Sequence, residues 1–191
     1  MNIELCNRTA EALRKRGFEV DVVATRAEAV ELVMQEAARA ANVGWGGSET
    51  LKEIGARDRL SASGVEIRDH RTDVDLFLLS ANALTADGRI VNIDGTGNRV
   101  AASIYGPRRV VYVIGENKIV EGGLDDAIAR VKRCACPPNC RRLGRRTPCA
   151  ETGVCADCDS PDRICKVISV FERRTTGISA RVILVGESLG Y

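Results

Sequence analysis

The sequence predicts an α/β domain built around a mainly parallel β-sheet. Strand-like and helix-like segments alternate at short spacing, which is typical of that class. Residues 76–79 (LFLL) and 109–114 (RVVYVI) are almost uniformly apolar, as expected of strands that are buried on both faces. A chain of 191 residues fits one domain, so we expect residues 1–191 to fold as a single unit.

The first elements follow from periodicity and from capping signals. Apolar residues recur at helical spacing from residue 3 to residue 13, and Gly17 is placed to end that helix. Residues 18–23 alternate as a strand does. Thr25 and Glu28 then form a capping box, which opens an Ala-rich helix that runs to about residue 41.

The middle of the chain continues the alternation. A short strand at residues 43–46 leads to Ser48, which can cap a helix that ends at residue 54. Further strands are predicted at residues 65–68, 76–79, 89–93 and 109–114, and further helices at residues 97–104 and 124–132.

The character of the sequence changes after Cys134. Residues 134–166 are predicted as a cysteine-rich insertion or loop. Two strands follow, at residues 167–173 and 180–185. Thr176 and Gly177 supply a turn signal between them, so we predict a terminal antiparallel β-hairpin.

Composition argues against several classes of protein. Lys and Arg number 28 against 26 Asp and Glu, so the chain has no overall basic charge to hold nucleic acid. No apolar run approaches the roughly 18 residues of a membrane span, and no signal peptide is visible at the N-terminus. We therefore expect a cytoplasmic protein without a membrane span or a nucleic-acid partner.

Two polar, glycine-rich loops follow predicted strands. Residues 44–50 (GWGGSET) could present backbone amides to an anionic ligand, or could form a plain strand-to-helix turn. Residues 82–99 are rich in Asn, Asp and Gly, and could instead contain hairpin turns at Asp87 and Asp94. Because sites in α/β proteins lie at the carboxyl edge of the sheet, we expect a ligand site here.

Seven of the eight cysteines lie between residues 134 and 165. The last four have the spacing C-x5-C-x2-C-x6-C, with one C-x2-C pair where zinc ribbons have two, and ferredoxin spacings also differ. A metal or Fe–S site, a redox thiol pair and a structural role all stay open. The nearby basic residues 141–146 are either a solvated face or a docking site for an anion or an acidic partner.

Several motifs resemble the LUD domain, the lactate-utilisation family. They are residues 46–51 (GGSETL), 82–85 (NALT), 87–88 (DG), 91–92 (VN), 94–101 (DGTGNRVA) and 117–120 (NKIV). The cysteine segment and residues 186–191 (GESLGY) resemble one branch of that family. The resemblance implies a three-layer fold like that of ribose-phosphate isomerase, glucosamine-phosphate deaminase and CoA transferases.

The resemblance also implies a function. Better-known members belong to operons for the oxidation of L-lactate to pyruvate, in which a separate, longer subunit carries an iron–sulfur module. This chain resembles a stand-alone member, and that Fe–S lactate-oxidising subunit is a candidate partner. By analogy with the isomerases and transferases, the glycine-rich loops would bind a small anionic substrate. The family supplies no catalytic residue that can be carried over.

The candidate site residues are therefore of two kinds. The candidate ligand-binding residues are Gly46, Gly47, Ser48, Thr50, Asn82, Asp87, Asp94, Gly95, Gly97, Asn98 and Arg99. The candidate ligands of an Fe–S cluster or a zinc ion are Cys149, Cys155, Cys158 and Cys165.

Three further residues have two interpretations each. Glu187 is an acid/base group or, as we favour, a hydrogen-bonded terminus. Lys118 contacts an anion or is an exposed loop lysine. His70, the one histidine, is expected at the surface or at the end of a strand.

Two functional hypotheses follow. In the first, the chain is a metabolic protein whose cleft binds a small carboxylate, a sugar phosphate or a CoA-like ligand. In the second, it is a non-catalytic redox or assembly subunit that binds Fe–S or Zn through its cysteines.

Overall fold

The computed structural model describes residues 3–69 and 72–191, so that His70 lies outside the described residues. Its main feature is a six-stranded sheet in the order β1-β10-β7-β4-β2-β3, in which every pairing is parallel. A second sheet of four strands, in the order β8-β5-β6-β9, is mixed. The predicted α/β class with a mainly parallel sheet is confirmed.

The elements are bounded as follows within the described residues. The strands are β1 (Glu19–Val23), β2 (Asn42–Trp45), β3 (Glu66–Asp69), β4 (Leu76–Leu79), β5 (Ala83–Thr85), β6 (Ile90–Asp94), β7 (Arg109–Gly115), β8 (Ile119–Val120), β9 (Val167–Phe171) and β10 (Ser179–Val185). The helices are α1 (Ile3–Lys15), α2 (Arg26–Ala37), α3 (Glu49–Glu53), α4 (Ala56–Ser63), α5 (Asn98–Ile104), α6 (Leu124–Arg130), α7 (Cys136–Arg142) and α8 (Pro148–Thr152). One turn of 3-10 helix spans Glu116–Lys118, and a π-helical turn spans Val131–Ala135.

The main sheet is the middle layer of three. Leu76, Leu78 and Val111 lie on the face that packs against α2, α3 and α4. Phe77 and Tyr112 lie on the opposite face, in one core with α1, α5 and residues of the small sheet. The other face of the small sheet packs on α6 and the π-helical turn. No helix in the described parts of the chain is both long and apolar enough to cross a membrane.

Local signals determine the early elements as predicted. Gly17 adopts a φ of +88° just after α1 ends, which suits a residue without a side chain. Thr25 and Glu28 form the full capping box at the start of α2, which ends at Ala37 rather than near residue 41. Ser48 Oγ accepts a hydrogen bond from the Leu51 amide at 3.3 Å and caps α3.

The predicted terminal β-hairpin is wrong. β9 pairs antiparallel with β6 in the small sheet, whereas β10 lies between β1 and β7 in the main sheet and is parallel to both. The reason lies in residues 182–185 (VILV), which are buried on both faces of the main sheet. A uniformly apolar run of this kind is typical of a central parallel strand, and it outweighs the turn signal before it.

The cysteine-rich segment is a loop only in part. Its first half contains α7 and α8, and residues 153–166 carry no helix or strand. Pro137 and Pro148 stand in the first turns of these helices, where the missing amide of proline costs no intrahelical hydrogen bond. The long polar loop predicted at residues 82–99 is also ordered, because it forms the β5–β6 hairpin and the start of α5.

Candidate functional site

A cleft of about 590 Å³ opens at the carboxyl ends of the main-sheet strands. The turns that follow β2, β4 and β7 contribute Ser48, Ser80 and Lys118 to it, and the end of β6 contributes Asp94. Helix α7 closes the far side. The position agrees with the rule that ligand sites of α/β proteins lie at this edge of the sheet.

The cleft brings together eight of the eleven predicted ligand-binding residues. They are Gly47, Ser48, Thr50, Asn82, Asp94, Gly95, Asn98 and Arg99. The other three predicted residues, Gly46, Asp87 and Gly97, do not line it.

Gly46 and Gly97 shape the cleft from behind. A Cβ at Gly46 would lie 3.3 Å from the Phe77 ring and 3.4 Å from Cγ of Arg99, so this glycine allows the first loop to pack against the core. Gly97 precedes α5 with a φ of +88°, and its amide donates to the Asp94 carboxylate at 2.9 Å. Both glycines therefore serve the geometry of the loops.

Asp87 lies in the turn of the β5–β6 hairpin, where it forms ion pairs with Arg16 and Arg89. The turn packs against α1, since a Cβ at Gly88 would lie 2.9 Å from the backbone of Ala12. The prediction that Asp87 lines the cleft is wrong, because the Asp87–Gly88 pair acts as a hairpin turn.

The buried Asp94 and the half-buried Arg99 form an ion pair at the cleft wall. The Asp94 carboxylate accepts hydrogen bonds from the amides of Thr96 and Gly97, and Arg99 Nε lies 3.6 Å away from it. Burial alone would raise the pKa of Asp94, but the two amides and the guanidinium outweigh it and hold that pKa below its usual range. Arg99 also donates to Asn82 Oδ1 at 2.9 Å, which joins the two predicted loops.

Lys118 lies on the floor of the cleft and is 4% exposed. Its ammonium donates to Oγ1 of Thr50 at 2.6 Å and to Oγ of Ser80 at 3.0 Å. Burial lowers its pKa to about 7, and the nearby charges of Arg130 and Arg99 add to that effect. The interpretation of Lys118 as an exposed loop lysine is wrong.

Arg130 is a second buried cation beside Lys118, and it is 7% exposed. Its guanidinium donates to the carbonyl oxygens of Asn117 at 2.8 Å and Asn82 at 2.7 Å. Burial lowers the pKa of Arg130. Within residues 3–69 and 72–191, no Asp or Glu side chain forms an ion pair with Lys118 or Arg130, although Glu53 is near enough to oppose the lowering of the Lys118 pKa. Arg130 also donates to the main-chain oxygen of Tyr191 at 3.4 Å.

The lining itself also carries an excess of positive charge. It contains four cationic side chains against two carboxylates, namely Arg99, Lys118, Arg142 and Arg145 against Glu49 and Asp94. Arg142 and Arg145 come from the basic run 141–146, which therefore divides between cleft and solvent. Arg141 bonds the Ala150 carbonyl and Arg146 pairs with Asp162. The cleft is electrostatically suited to an anion.

The cysteine-rich segment forms one wall of this cleft. Cys136 and Ile164 line it, and a Cβ at Gly95 would lie 2.9 Å from the Ile164 carbonyl oxygen. Burial raises the pKa of Cys136 to about 12, and four further thiols contribute, those of Cys165, Cys155, Cys140 and Cys149. Four other cysteines are therefore close enough to Cys136 to affect its pKa.

The predicted metal ligands Cys149, Cys155, Cys158 and Cys165 are free thiols in the structure. Cys149 is buried, with its Sγ 3.4 Å from Oγ1 of Thr147, and the other three are half-buried. Among the described residues, no group of three or more His, Cys, Asp or Glu side chains is arranged to hold a metal ion. A metal site at these four cysteines stays a prediction.

Glu187 is a hydrogen-bonded helix cap, as favoured from the sequence. Its carboxylate accepts from the Arg26 amide at 2.9 Å and from Arg26 Nε at 2.6 Å. These hydrogen bonds at the start of α2 hold the pKa of Glu187 below its usual range. A carboxyl group in this state is unsuited to general acid catalysis.

Arg130 was not among the predicted site residues, although the sequence contains a signal for it. It occupies a position on the apolar stripe of α6 and the following turn, together with Ala127 and Val131, which are buried. A charged residue at such a position is rarely buried without a specific partner.

The comparisons with known proteins agree with this fold. A protein-family model described as "LUD domain" matches residues 6–185. Among solved structures, the crystal structure of a DUF162 family protein from Deinococcus radiodurans aligns with a TM-score of 0.59 at 16% identity, covering 96% of this chain and 97% of that one. A search of curated proteins gave no match.

Proposed function

The chain belongs to the LUD domain family, and on that premise we propose that its cleft binds a small anionic molecule in lactate utilisation, the oxidation of L-lactate to pyruvate. The ligand class is a small carboxylate, a sugar phosphate or a CoA-like molecule. The family supports the pathway, and the charge of the cleft supports the ligand class.

One observation carries this proposal. Lys118 is a buried cation on the floor of the cleft and Arg130 is buried beside it, and neither forms an ion pair with an Asp or Glu side chain among the described residues. A buried charge is costly unless an opposite charge compensates it. An anion in the cleft would supply that negative charge. The loop at residues 46–50 and Asn98 would contribute hydrogen-bond donors to the anion.

Hydrogen exchange with bound ligand tests the proposal. We expect one or more of lactate, pyruvate, inorganic phosphate, a sugar phosphate and CoA to slow amide exchange in residues 46–50 and 94–99. Unchanged exchange in both loops across the whole panel would contradict the proposal. Affinity should fall as salt is added, because the attraction depends on charge.

The basic run offers a matched control. Arg142→Gln with Arg145→Gln removes two charges from the cleft lining, whereas Arg141→Gln with Arg146→Gln removes the same charge from positions outside it. We expect the first pair to weaken anion binding by about tenfold or more and the second by about twofold or less. Equal losses would mean that binding is diffuse and not confined to the cleft.

A second function is favoured by the crowding of the cysteines. In this alternative, Cys149, Cys155, Cys158 and Cys165 bind an Fe–S cluster or Zn, and the chain is a redox or assembly subunit that docks to an Fe–S lactate-oxidising subunit. Three of these four thiols, those of Cys149, Cys155 and Cys165, are near enough to Cys136 to help raise its pKa, which supports the alternative. In the reducing cytoplasm, where we expect the chain to work, these cysteines would stay available as thiols.

Anaerobic purification followed by a UV–visible spectrum and elemental analysis tests this alternative. Stoichiometric Fe with charge-transfer absorbance would support an electron-transfer role, and stoichiometric Zn without colour would support a structural one. Cys155→Ser should abolish the metal content, and Cys134→Ser, which changes an exposed cysteine outside the set, should not. Absence of both metals would overturn the alternative.

A further inference from the structure

Lys118 stands where three neighbouring strands of the main sheet end. It follows β7 in the one-turn 3-10 helix, Ser80 follows β4, and Thr50 lies in the helix that follows β2. The side chains of Thr50 and Ser80 both hold its Nζ. Gly190 packs close to this group, since a Cβ there would lie 2.6 Å from Oγ1 of Thr50 and 3.3 Å from Nζ. The amine is therefore fixed in place.

The two hydroxyls leave one position of the nitrogen for the cleft. A lysine nitrogen has four tetrahedral positions, of which one is its own carbon and two are used toward Thr50 and Ser80. In the ammonium form the last position holds a hydrogen that can bind an anion. In the amine form it holds a lone pair that can attack an electrophile. Because the pKa is lowered to about 7 by burial, both forms exist at neutral pH.

Lys118 differs in this respect from the other lysines of the chain. The chain contains five, all of them within the described residues, and Lys15, Lys52 and Lys166 are exposed while Lys132 is half-buried. Lys132 forms an ion pair with Asp157 at 3.0 Å, which raises its pKa. Ammonium groups of this kind carry no lone pair and are poor nucleophiles at neutral pH.

We infer that Lys118 forms an imine with a small aldehyde or ketone that carries an anionic group. This inference rests on the proposed anion site, in which cations such as Arg142 and Arg145 hold the anionic group of the same molecule. The amine lone pair attacks the carbonyl carbon and forms the C–N bond. The carbonyl oxygen then leaves as water with the two hydrogens of the amine, which gives the C=N bond. The step needs no oxidant or reductant.

Reductive trapping with borohydride tests this inference on the intact protein. Pyruvate is the carboxylate probe, and dihydroxyacetone phosphate is the phosphate probe. We expect one adduct per chain, with the mass of the probe less one oxygen atom, and peptide mapping should locate it at Lys118. Which of the two probes reacts faster distinguishes a carboxylate from a phosphate as the anionic group. Lactate, which has no ketone or aldehyde group, should compete without forming an adduct.

The wild-type peptide map is decisive even if a variant fails to fold. Modification of Lys118 at about ten times the rate of the exposed lysines or more would support the inference. No adduct, or one spread equally over the five lysines, would overturn it. Lys118→Arg keeps the positive charge but cannot form the imine, so it should lose the adduct. If a probe slows amide exchange in residues 46–50 and 94–99 but is not trapped, the proposed anion site stands and imine formation is rejected. If the probes neither slow exchange nor are trapped, both the anion site and imine formation are rejected.

Discussion

The two ends of the main sheet both bury positive charge, but they compensate it differently. At the amino end, Arg109 and Arg181 share the carboxylate of Glu36. Arg109 also pairs with Glu19 and Arg181 with Asp21, and the N–O distances of the four pairs are 2.5 to 2.7 Å. At the carboxyl end, Lys118 and Arg130 bond to hydroxyl and carbonyl oxygens.

The cations at the amino end stabilise the fold through ion pairs, whereas Lys118 and Arg130 at the carboxyl end have no such partners among the described residues and are available to bind a ligand. Glu36 is 3% exposed and accepts hydrogen bonds from both arginines, so the amino-end network is neutralised within the chain. The carboxyl end keeps its cations under a cleft that is large enough for a small molecule. Substitution at the two ends should therefore have opposite effects on stability.

Glu36→Gln should have the largest effect. It leaves Arg109 and Arg181 without their shared buried carboxylate, although each keeps a second carboxylate partner. We therefore expect a loss at the lower end of the about 3–5 kcal/mol that removal of one partner of a buried ion pair costs. Urea unfolding at neutral pH measures it as a lower midpoint at an unchanged m-value. Glu31→Gln is the control, because the Glu31–Arg59 pair is exposed, and it should leave the midpoint unchanged. A similar midpoint for both variants would mean that the network does not hold the fold.

Lys118→Met should have the opposite sign. A pKa lowered from 10.5 to about 7 corresponds to a cost of on the order of 4–5 kcal/mol for the buried ammonium. The variant also loses two hydrogen bonds, worth about 1 kcal/mol each. We therefore expect a net stabilisation of about 2–3 kcal/mol at pH values below 7.

The pH dependence checks the cause of that gain. Below the folded pKa of about 7, Lys118 is protonated in both the folded and the unfolded chain, and the full cost is present. As the pH rises toward 10.5, the unfolded chain binds the extra proton, so the wild type becomes more stable relative to Lys118→Met. The difference in free energy of unfolding between Lys118→Met and the wild type, measured with urea, should be smaller at about pH 9 than at about pH 6. If this difference in free energy does not change with pH, the stabilisation by Lys118→Met comes from packing alone.

The same contrast explains what could be predicted from the sequence. The polar loops that follow strands could be predicted, because the residues that indicate them are adjacent in the chain. From their position after the strands, Asn82, Asp94 and Arg99 were correctly expected in one cleft. The position of β10 was not, since a turn signal and an apolar run gave conflicting predictions. The burial of Lys118 was not predictable either, because its partners Thr50 and Ser80 are 68 and 38 residues away.

Acid should weaken the amino-end network. Burial alone would raise the pKa of Glu36, but hydrogen bonds from Arg109 and Arg181 outweigh it and hold that pKa below its ordinary value. The stability from this carboxylate is therefore complete above about pH 5 and is lost as the pH falls through the folded pKa. The difference in free energy of unfolding between the wild type and Glu36→Gln should decrease as the pH falls from about 5 to about 3. A constant gap would show that the carboxylate charge is not the stabilising feature.

The smallest predicted effect is that of Asp87→Ala, in one of two Asp-Gly turns that look alike in the sequence. Asp87 is half-exposed in the β5–β6 hairpin, so Asp87→Ala should cost at most about 1 kcal/mol and leave anion affinity unchanged within about twofold. Asp94 instead fixes the amides of Thr96 and Gly97 and faces Arg99 in the cleft wall. Asp94→Ala should therefore change both stability and affinity. Calorimetric titration of both variants with the anion that protects the loops makes the comparison. If Asp87→Ala weakened binding as much as Asp94→Ala, the ligand would have to reach the hairpin, and the cleft would not be the whole site.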